Sequence, residues 1–305
     1  MKHVEGLRQL IIHAYAKINL TLDILGKRAD GYHDLKMVMQ SVGLYDIISV
    51  KLNKNTGIYV KSSSALLADD ESNTAYKAAK CFFEACGMNG CGAFIDMEKR
   101  IPMEAGMAGG SADAAAVIIA LDRLCGTKLS ENRLWAIGEK VGADVPFCLS
   151  GGTMLAEGKG ERLTRLPELS SFADAPLILL CKPEIGVSTG RAYAAVDHCD
   201  PAVLRRPDAE AMREALAAQD VKGVAENLGN VFEQVLRIDE CESIKSTMMK
   251  EGALGACMTG SGTTVFGLFD SEAAAQQACL TLGASYKNTF LTSAVAWGCK
   301  IVSES

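Results

Sequence analysis

The sequence predicts an α+β protein of two domains, and three observations lead there. Apolar and polar residues alternate over 11–25, the period of a long strand, and further strands and helices follow it. The stretch around 160–175 is polar and without periodicity, which divides the chain into residues 1–163 and 164–305. Beyond it the elements read strand, helices, strand, strand, helix, strand. With the helices taken as one connection, this is the β-α-β-β-α-β order of a ferredoxin-like domain.

In the opening strand Ile18, Leu20, Leu22 and Ile24 fall on one face, and Lys17, Asn19, Thr21 and Asp23 on the other. A polar stretch, Lys27 to Asp34, carries an Asp30-Gly31 turn signal. Strands follow at 37–43, 46–52 and 57–61, separated by Asn and Gly. Asn73 to Cys86 has helical spacing through Tyr76, Ala79, Phe82 and Phe83, and Gly87 stops it. Ala93, Ile95 and Met97 alternate as a strand; a glycine-rich loop occupies 105–110; a helix runs from Ser111 to Cys125 on the stripe Val117, Ile118, Leu121, Leu124. Ser130 caps the next helix, which ends near Gly142, and a strand falls near 153–157. The second half gives a strand at 176–182, helices over about 190–250, strands at 254–259 and 264–269, a helix at 271–282 and a strand at 291–301.

Composition narrows the function. Of the 305 residues 49% are hydrophobic and 22% charged, enough apolar material for a sizeable core, and the net charge of −6 disfavours nucleic acid or an anionic membrane as partner. No apolar run approaches the roughly 20 residues of a membrane span. Met1 to Gln9 has no apolar core of a signal peptide, so the cytoplasm is the expected location. The 11 cysteines are odd in number and contain no Cys-x-x-Cys, which points to reduced, mostly buried thiols and not to a metal cluster or disulfide framework.

The segment Pro102-Met103-Glu104-Ala105-Gly106-Met107-Ala108-Gly109-Gly110-Ser111-Ala112 is the most informative. Small residues let backbone N–H groups converge, and a helix beginning near Ser111 adds unpaired N–H groups and the positive end of its dipole. This makes a polyphosphate cradle, to which Ser111 brings a hydroxyl for phosphate or for the nucleotide's metal. Neither the Walker ending nor the G-x-G-x-x-G spacing is present. On its own the segment is equally compatible with a plain connection between strand and helix. Thr259-Gly260-Ser261-Gly262-Thr263 lies between two apolar strands and on its own reads as a hairpin turn. Asp144, in Gly142-Ala143-Asp144-Val145-Pro146-Phe147, keeps small and apolar company; it is a candidate acid or base, or a turn aspartate. Lys17 is a cation inside a patterned strand, ordinarily a solvated one, and Asn19 points the same way about 7 Å along it. Tyr32-His33 follows a turn and could stack on and hydrogen-bond a flat ring. The four histidines give no Ser/His/Asp triad and no metal spacing.

Taken in order, Ala14-Tyr15-Ala16-Lys17-Ile18-Asn19-Leu20, Arg28-Ala29-Asp30-Gly31-Tyr32-His33, the Pro102 to Ala112 loop, Gly142 to Phe147 with Ser150-Gly151-Gly152, and Thr259-Gly260-Ser261-Gly262 resemble the GHMP kinase superfamily over nearly the whole chain. The first, second and fourth segments point within it to the kinases of a cytidine-diphosphate-linked methylerythritol in non-mevalonate isoprenoid precursor biosynthesis. The resemblance implies the two-domain GHMP kinase fold, with an N-terminal domain like domain 2 of ribosomal protein S5. It implies ATP and Mg²⁺ as cofactors, a small-molecule partner and no obligate protein partner. Asp144 would be the general base and Lys17 its partner. The Pro102 to Ala112 loop would bind ATP, and Asn19, Tyr32, His33, Thr189 and Tyr193 would hold the substrate, the aromatic groups near the cytosine. Where the family often has two serines this chain has Ser111-Ala112, and Glu104-Ala105 stands where smaller residues are common. The rival readings are a homoserine, mevalonate or sugar kinase of the superfamily, a non-catalytic nucleotide-binding protein on the same fold, and an NAD-dependent oxidoreductase, against which the missing G-x-G-x-x-G speaks.

Overall fold

The computed structural model describes residues 8–53 and 56–305. The first half comprises β1 (Gln9–Lys27), β2 (His33–Asn53), β3 (Gly57–Ser62), α1 (Thr74–Ala85), β4 (Gly92–Glu98), α2 (Gly109–Cys125), α3 (Glu131–Glu139), α4 (Val145–Ser150), β5 (Thr153–Gly158) and β6 (Arg162–Arg165). The second comprises β7 (Leu177–Lys182), α5 (Thr189–Asp197), α6 (Ala209–Ala217), α7 (Val221–Glu226), β8 (Gly229–Asn230), α8 (Val231–Leu236), α9 (Asp239–Lys250), β9 (Gly255–Met258), β10 (Val265–Phe269), α10 (Glu272–Gly283), β11 (Asn288–Ser293) and β12 (Cys299–Glu304).

The strands form two sheets. The larger runs β12-β1-β2-β4-β3, with β5 and then β6 continuing from the other end of β2 and β8 added to β1. The smaller runs β11-β7-β10-β9, every pair antiparallel. In chain order that is fourth, first, third, second, the ferredoxin-like arrangement expected from the element order.

Several local expectations change. The strands expected at 37–43 and 46–52 are one strand, β2. The Gly43 signal is overridden because β2 is paired with β1 on one side and with β5 and β4 on the other. The polar stretch after residue 160 holds β6, which pairs with β5. The strand expected at 291–301 is two: β11 ends the small sheet, and β12 returns to β1 of the large one. Ser130 occupies the position before α3, but its side chain makes no capping bond. Asn73 does cap α1, its Oδ1 accepting from the Ala75 N–H at 2.9 Å. All eleven cysteines are free, four buried and seven half-buried. Among the described residues no helix is long and apolar enough to cross a membrane.

The fold positions the site through an irregularity in β1. The register of β1 against β2 shifts between Tyr15 and Lys17, and again between Asn19 and Thr21. Leu10, Ile12 and Ala14 pack in the core that includes α1 and α2. Ala16, Ile18 and Leu20 pack instead in the core between the two sheets and α6, while Leu22 and Ile24 return to the first. The expected single face of Ile18, Leu20, Leu22 and Ile24 is thus broken in the middle. Such irregularities re-aim side chains without interrupting a sheet. Nor is the polar face solvated: Lys17, Asn19, Thr21 and Asp23 are all buried. The second half of the chain covers them, with Thr259 on Asn19 and Arg206 Nη1 on Asp23 at 2.7 Å.

Candidate active site

Two glycine loops meet backbone to backbone at one end of the sheet. A Cβ on Gly106 would lie 2.2 Å from the Thr259 carbonyl oxygen, and one on Gly260 2.7 Å from the Gly106 carbonyl oxygen. Only glycine permits that approach. The Lys17 N–H donates to the Met107 carbonyl at 3.2 Å, and the Thr259 hydroxyl oxygen accepts from the Asn19 N–H at 2.9 Å and lies 3.4 Å from the Gly106 carbonyl, so β1 and both loops form one unit. The hairpin turn seen in the sequence at Thr259 to Thr263 is therefore part of the cavity wall.

Ala108 takes a left-handed conformation (φ 58°) immediately before α2 and has no side-chain oxygen to cap it. The first N–H groups of α2, on Gly109, Gly110 and Ser111, have no intrahelical acceptor. The 17-residue helix adds the positive end of its dipole at the same point. The Thr74 hydroxyl, at the start of α1, donates to the Gly110 carbonyl at 2.9 Å and ties a second helix start to the first. These groups wall a cavity of about 480 Å³, lined also by Lys17, Lys99, Asp144 and, from the second half, Thr189, Tyr193 and Gly260 to Gly262.

Lys17 and Asp144 both line this cavity. Lys17 Nζ donates to Asn19 Oδ1 at 2.7 Å and stands 3.9 Å from Asp144 Oδ2, a charge contact too long for a hydrogen bond. Asp144 immediately precedes α4, where an aspartate usually accepts from the second or third N–H. The second residue of α4 is Pro146, which has no N–H, and the Asp144 side chain makes no capping bond. Its carboxylate is left to the cavity.

Lys99, also on the cavity wall, is held differently. Its ammonium donates to both Asp46 and Asp113, all three being buried. Burial disfavours its charge, but Asp113 and Asp46 outweigh that and raise its pKa. Burial pushes the Asp113 carboxyl up to about 7, against the pull of Lys99 and with a push from Asp46. Asp46 Oδ1 meanwhile accepts from the N–H groups of Arg100 and Ile101 at 2.5 and 2.9 Å, fixing the entry to the phosphate loop. Sequence reasoning missed this trio. The available signals were a Lys99-Arg100 pair directly before the loop and a lone aspartate in the alanine-rich start of α2.

The residues singled out from the sequence separate into three groups. Pro102 to Ser111, Lys17, Asp144, Thr189 and Tyr193 line the cavity. Ala112 and Asn19 do not, being fully buried. Asn19 Oδ1 accepts from Lys17 Nζ, from the Gly260 N–H at 3.0 Å and from the Thr259 hydroxyl at 3.3 Å, so its oxygen is taken up behind the cavity and not by anything within it. Tyr32 and His33 lie beyond the cavity lining and differ sharply. Tyr32 is 61% exposed with Lys159 Nζ 5.0 Å over its ring. His33 is buried, stacked on Tyr193 at 4.5 Å between centroids, with Nε2 2.7 Å from Asp197 Oδ1. Burial pushes the Tyr193 phenol up to about 12.

The family model of the GHMP kinases N terminal domain matches residues 73–152, and that of the GHMP kinases C terminal domain matches residues 212–288. The chain is 44% identical over 285 residues to a 4-diphosphocytidyl-2-C-methyl-D-erythritol kinase of Caldicellulosiruptor saccharolyticus, covering 93% of this chain and 96% of that one. It is 43% identical over 291 residues to the enzyme of that name in Clostridioides difficile, covering 95% and 96%. A crystal structure of a 4-(cytidine 5'-diphospho)-2C-methyl-D-erythritol kinase superposes with a TM-score of 0.76 at 32% identity, covering 93% of this chain and 99% of that one. A homoserine kinase from Cytophaga hutchinsonii shares the fold, with a TM-score of 0.75 at 19% identity over 96% and 97% of the two chains. The resemblance read from the sequence motifs is borne out. Identity of this extent along almost the full length of both partners, on a two-sheet frame that brings the motifs to one cavity, means that the chain belongs to the GHMP kinase family, among the 4-diphosphocytidyl-2-C-methyl-D-erythritol kinases.

Proposed function

We propose that this chain transfers the γ-phosphoryl group of ATP to the 2-hydroxyl of 4-diphosphocytidyl-2-C-methyl-D-erythritol, with Asp144 as general base and Lys17 beside it. The observation that carries the assignment of roles is the Lys17–Asp144 contact, 3.9 Å, in a cavity lined also by the phosphate loop and the start of α2. Phosphoryl transfer asks a protein mainly for alignment and charge neutralisation. The N–H groups of Gly109, Gly110 and Ser111 receive the terminal phosphates of ATP. Asp144 accepts the proton of the attacking hydroxyl as the new P–O bond forms and the bond to ADP breaks. The Lys17 ammonium, aimed by Asn19, offsets negative charge between Asp144 and the transferring group. The Ala112 N–H is taken up by the Ala108 carbonyl at 2.9 Å, but the absence of a second hydroxyl there leaves the donors of Gly109, Gly110 and Ser111 intact, because they are backbone groups.

Mg²⁺ fits as an ion carried by the nucleotide. The cavity offers hard oxygen donors, the Ser111 hydroxyl and the carboxylates of Glu104 and Asp144, and among the described residues no cluster of three ligating side chains. Such a donor set suits an ion that keeps waters and phosphate oxygens as its other ligands. When bound it would neutralise charge on the phosphate oxygens. Residues 1–163 would hold nucleotide and base, and residues 164–305 would complete the substrate pocket through Thr189 and Tyr193, with β12 returned to the first sheet. The stacked pair of His33 and Tyr193 would meet the cytosine as one unit, with Tyr32, exposed at the hairpin tip, beside it.

The test is ATP-dependent phosphorylation of 4-diphosphocytidyl-2-C-methyl-D-erythritol followed by ³¹P NMR, with homoserine, mevalonate and galactose as competitors. A new phosphomonoester signal with the cytidyl substrate alone is expected. Turnover of another alcohol in its place would overturn the substrate assignment, and ATP binding without any turnover would overturn the catalytic one.

A further inference from the structure

The pairing of β1 and β2 ends on one register pair, Lys27 opposite His33. Both side chains of that pair reach the same carboxylate. His33 Nε2 lies 2.7 Å from Asp197 Oδ1, and Lys27 Nζ lies 2.6 Å from Asp197 Oδ2. Asp197 is the last residue of α5, the helix that also carries Tyr193, stacked on His33 with the rings 19° from parallel. At the other end of α5 the Thr189 hydroxyl sits 3.2 Å from the Ser261 hydroxyl of the second glycine loop. Nine residues, about 13 Å of helix, thus connect the hairpin tip to the phosphate end of the cavity.

The chemistry of this contact fixes a proton. Hydrogen bonds from His33 and from Lys27 hold the Asp197 carboxyl down at about 2, so it is ionised and can only accept. His33 must therefore carry its hydrogen on Nε2, and in the neutral ring Nδ1 is left as an acceptor. An acceptor pairs with the exocyclic amine of cytosine and is repelled by the carbonyl that uracil has at the same place.

We propose that Asp197 is a positioning residue for nucleobase selection. It locks the tautomer of His33 and the His33–Tyr193 stack, so that the site takes a cytidine diphosphate and rejects its uridine counterpart. This rests on the substrate reading above. Asparagine at 197 would keep the shape but present an N–H either to the Lys27 ammonium or to the His33 N–H, and so would release the tautomer. Loss of a buried pairing of this kind is worth about tenfold or more.

Two measurements test this, and the first needs no substrate. Long-range ¹H–¹⁵N spectra of the full chain should show the His33 hydrogen on Nε2 in the wild type, and a mixture with the Nδ1 form in Asp197→Asn. Nδ1–H in the wild type would overturn the proposal whatever the substrate is. In the second, KM and kcat are measured with 4-diphosphocytidyl-2-C-methyl-D-erythritol and with its uridine analogue. Asp197→Asn should raise KM for the cytidyl substrate about tenfold, with a smaller change in kcat, and narrow the cytidine-to-uridine preference about tenfold. Asp197→Glu should recover part of both, and Lys27→Met, which leaves the tautomer fixed, should retain the preference. An unchanged preference in Asp197→Asn, or equal losses in Asp197→Asn and Lys27→Met, would reduce Asp197 to a tether. If the wild type turned over neither substrate, the substrate reading would fail, while the spectra would still decide the tautomer.

Discussion

Lys17 and Lys99 border the same cavity, and both are buried, yet their surroundings differ in kind. Lys99 is clamped between Asp46 and Asp113, which tie β2, the end of β4 and α2 together at the nucleotide end. Lys17 has a neutral partner, Asn19, at 2.7 Å and its carboxylate at 3.9 Å, beyond hydrogen-bond distance. A charge fully enclosed by its counter-charges has nothing left to give a substrate and serves to hold elements together. A charge whose counter-ion stands off keeps more of its field for whatever binds beside them. Under the proposed function, two lysines with equally buried side chains divide into a structural pair and a catalytic one, and mutation can test the division.

The largest expected effect is on turnover. Asp144→Asn should lower kcat by about 10²–10⁴, while ATP binding by fluorescence titration and the melting temperature stay close to those of the wild type. A fall in stability of similar size would place Asp144 with the structural ions. Lys99→Met should show the opposite pattern. It leaves two buried carboxylates without their cation, for which about 3–5 kcal/mol of unfolding free energy is expected, measured by urea titration; full stability with lost turnover would break the comparison. Next comes the backbone that aims Lys17. Gly106→Ala drives a Cβ to 2.2 Å from the Thr259 carbonyl at a φ of +71°. Separating the loops should weaken ATP binding by about 1–3 kcal/mol, read as a raised KM for ATP.

The last effect is a pH dependence. Asp113 titrates near 3.9 in an unfolded chain and at about 7 in the fold. Between those values the folded state holds the extra proton. Stability from this group is therefore full below the unfolded value and is lost as pH rises through about 7. The wild type should lose more stability than Asp113→Asn between pH 4 and 8, measured by thermal melts across that range. Equal slopes would show that Lys99 keeps Asp113 charged throughout.

Much of this molecule is legible in its sequence because local signals act over a few residues. The stripe of α2, the helix read over Asn73 to Cys86, the glycine-rich stretch from Ala105 to Gly110 and the β-α-β-β-α-β order all survive in the structure. Segment type and glycine placement depend on backbone sterics and side-chain period, which neighbouring residues decide. The motifs also named the family. What failed were expectations that depend on partners far along the chain. By its strand pattern alone Lys17 reads as a solvated lysine, because nothing near residue 17 tells that Thr259 to Gly262 will cover it; only the motif resemblance set it beside Asp144. Nothing in the sequence joins Lys99, Asp46 and Asp113, and His33 and Asp197 stand 164 residues apart. The tertiary structure alone decided these. Two shifts in the β1–β2 register turn Lys17 toward the cavity, and the second half of the chain removes water from it. A strand's period-2 pattern carries no mark of where its partner adds a residue, and burial is a property of what packs on a side chain, not of the side chain itself.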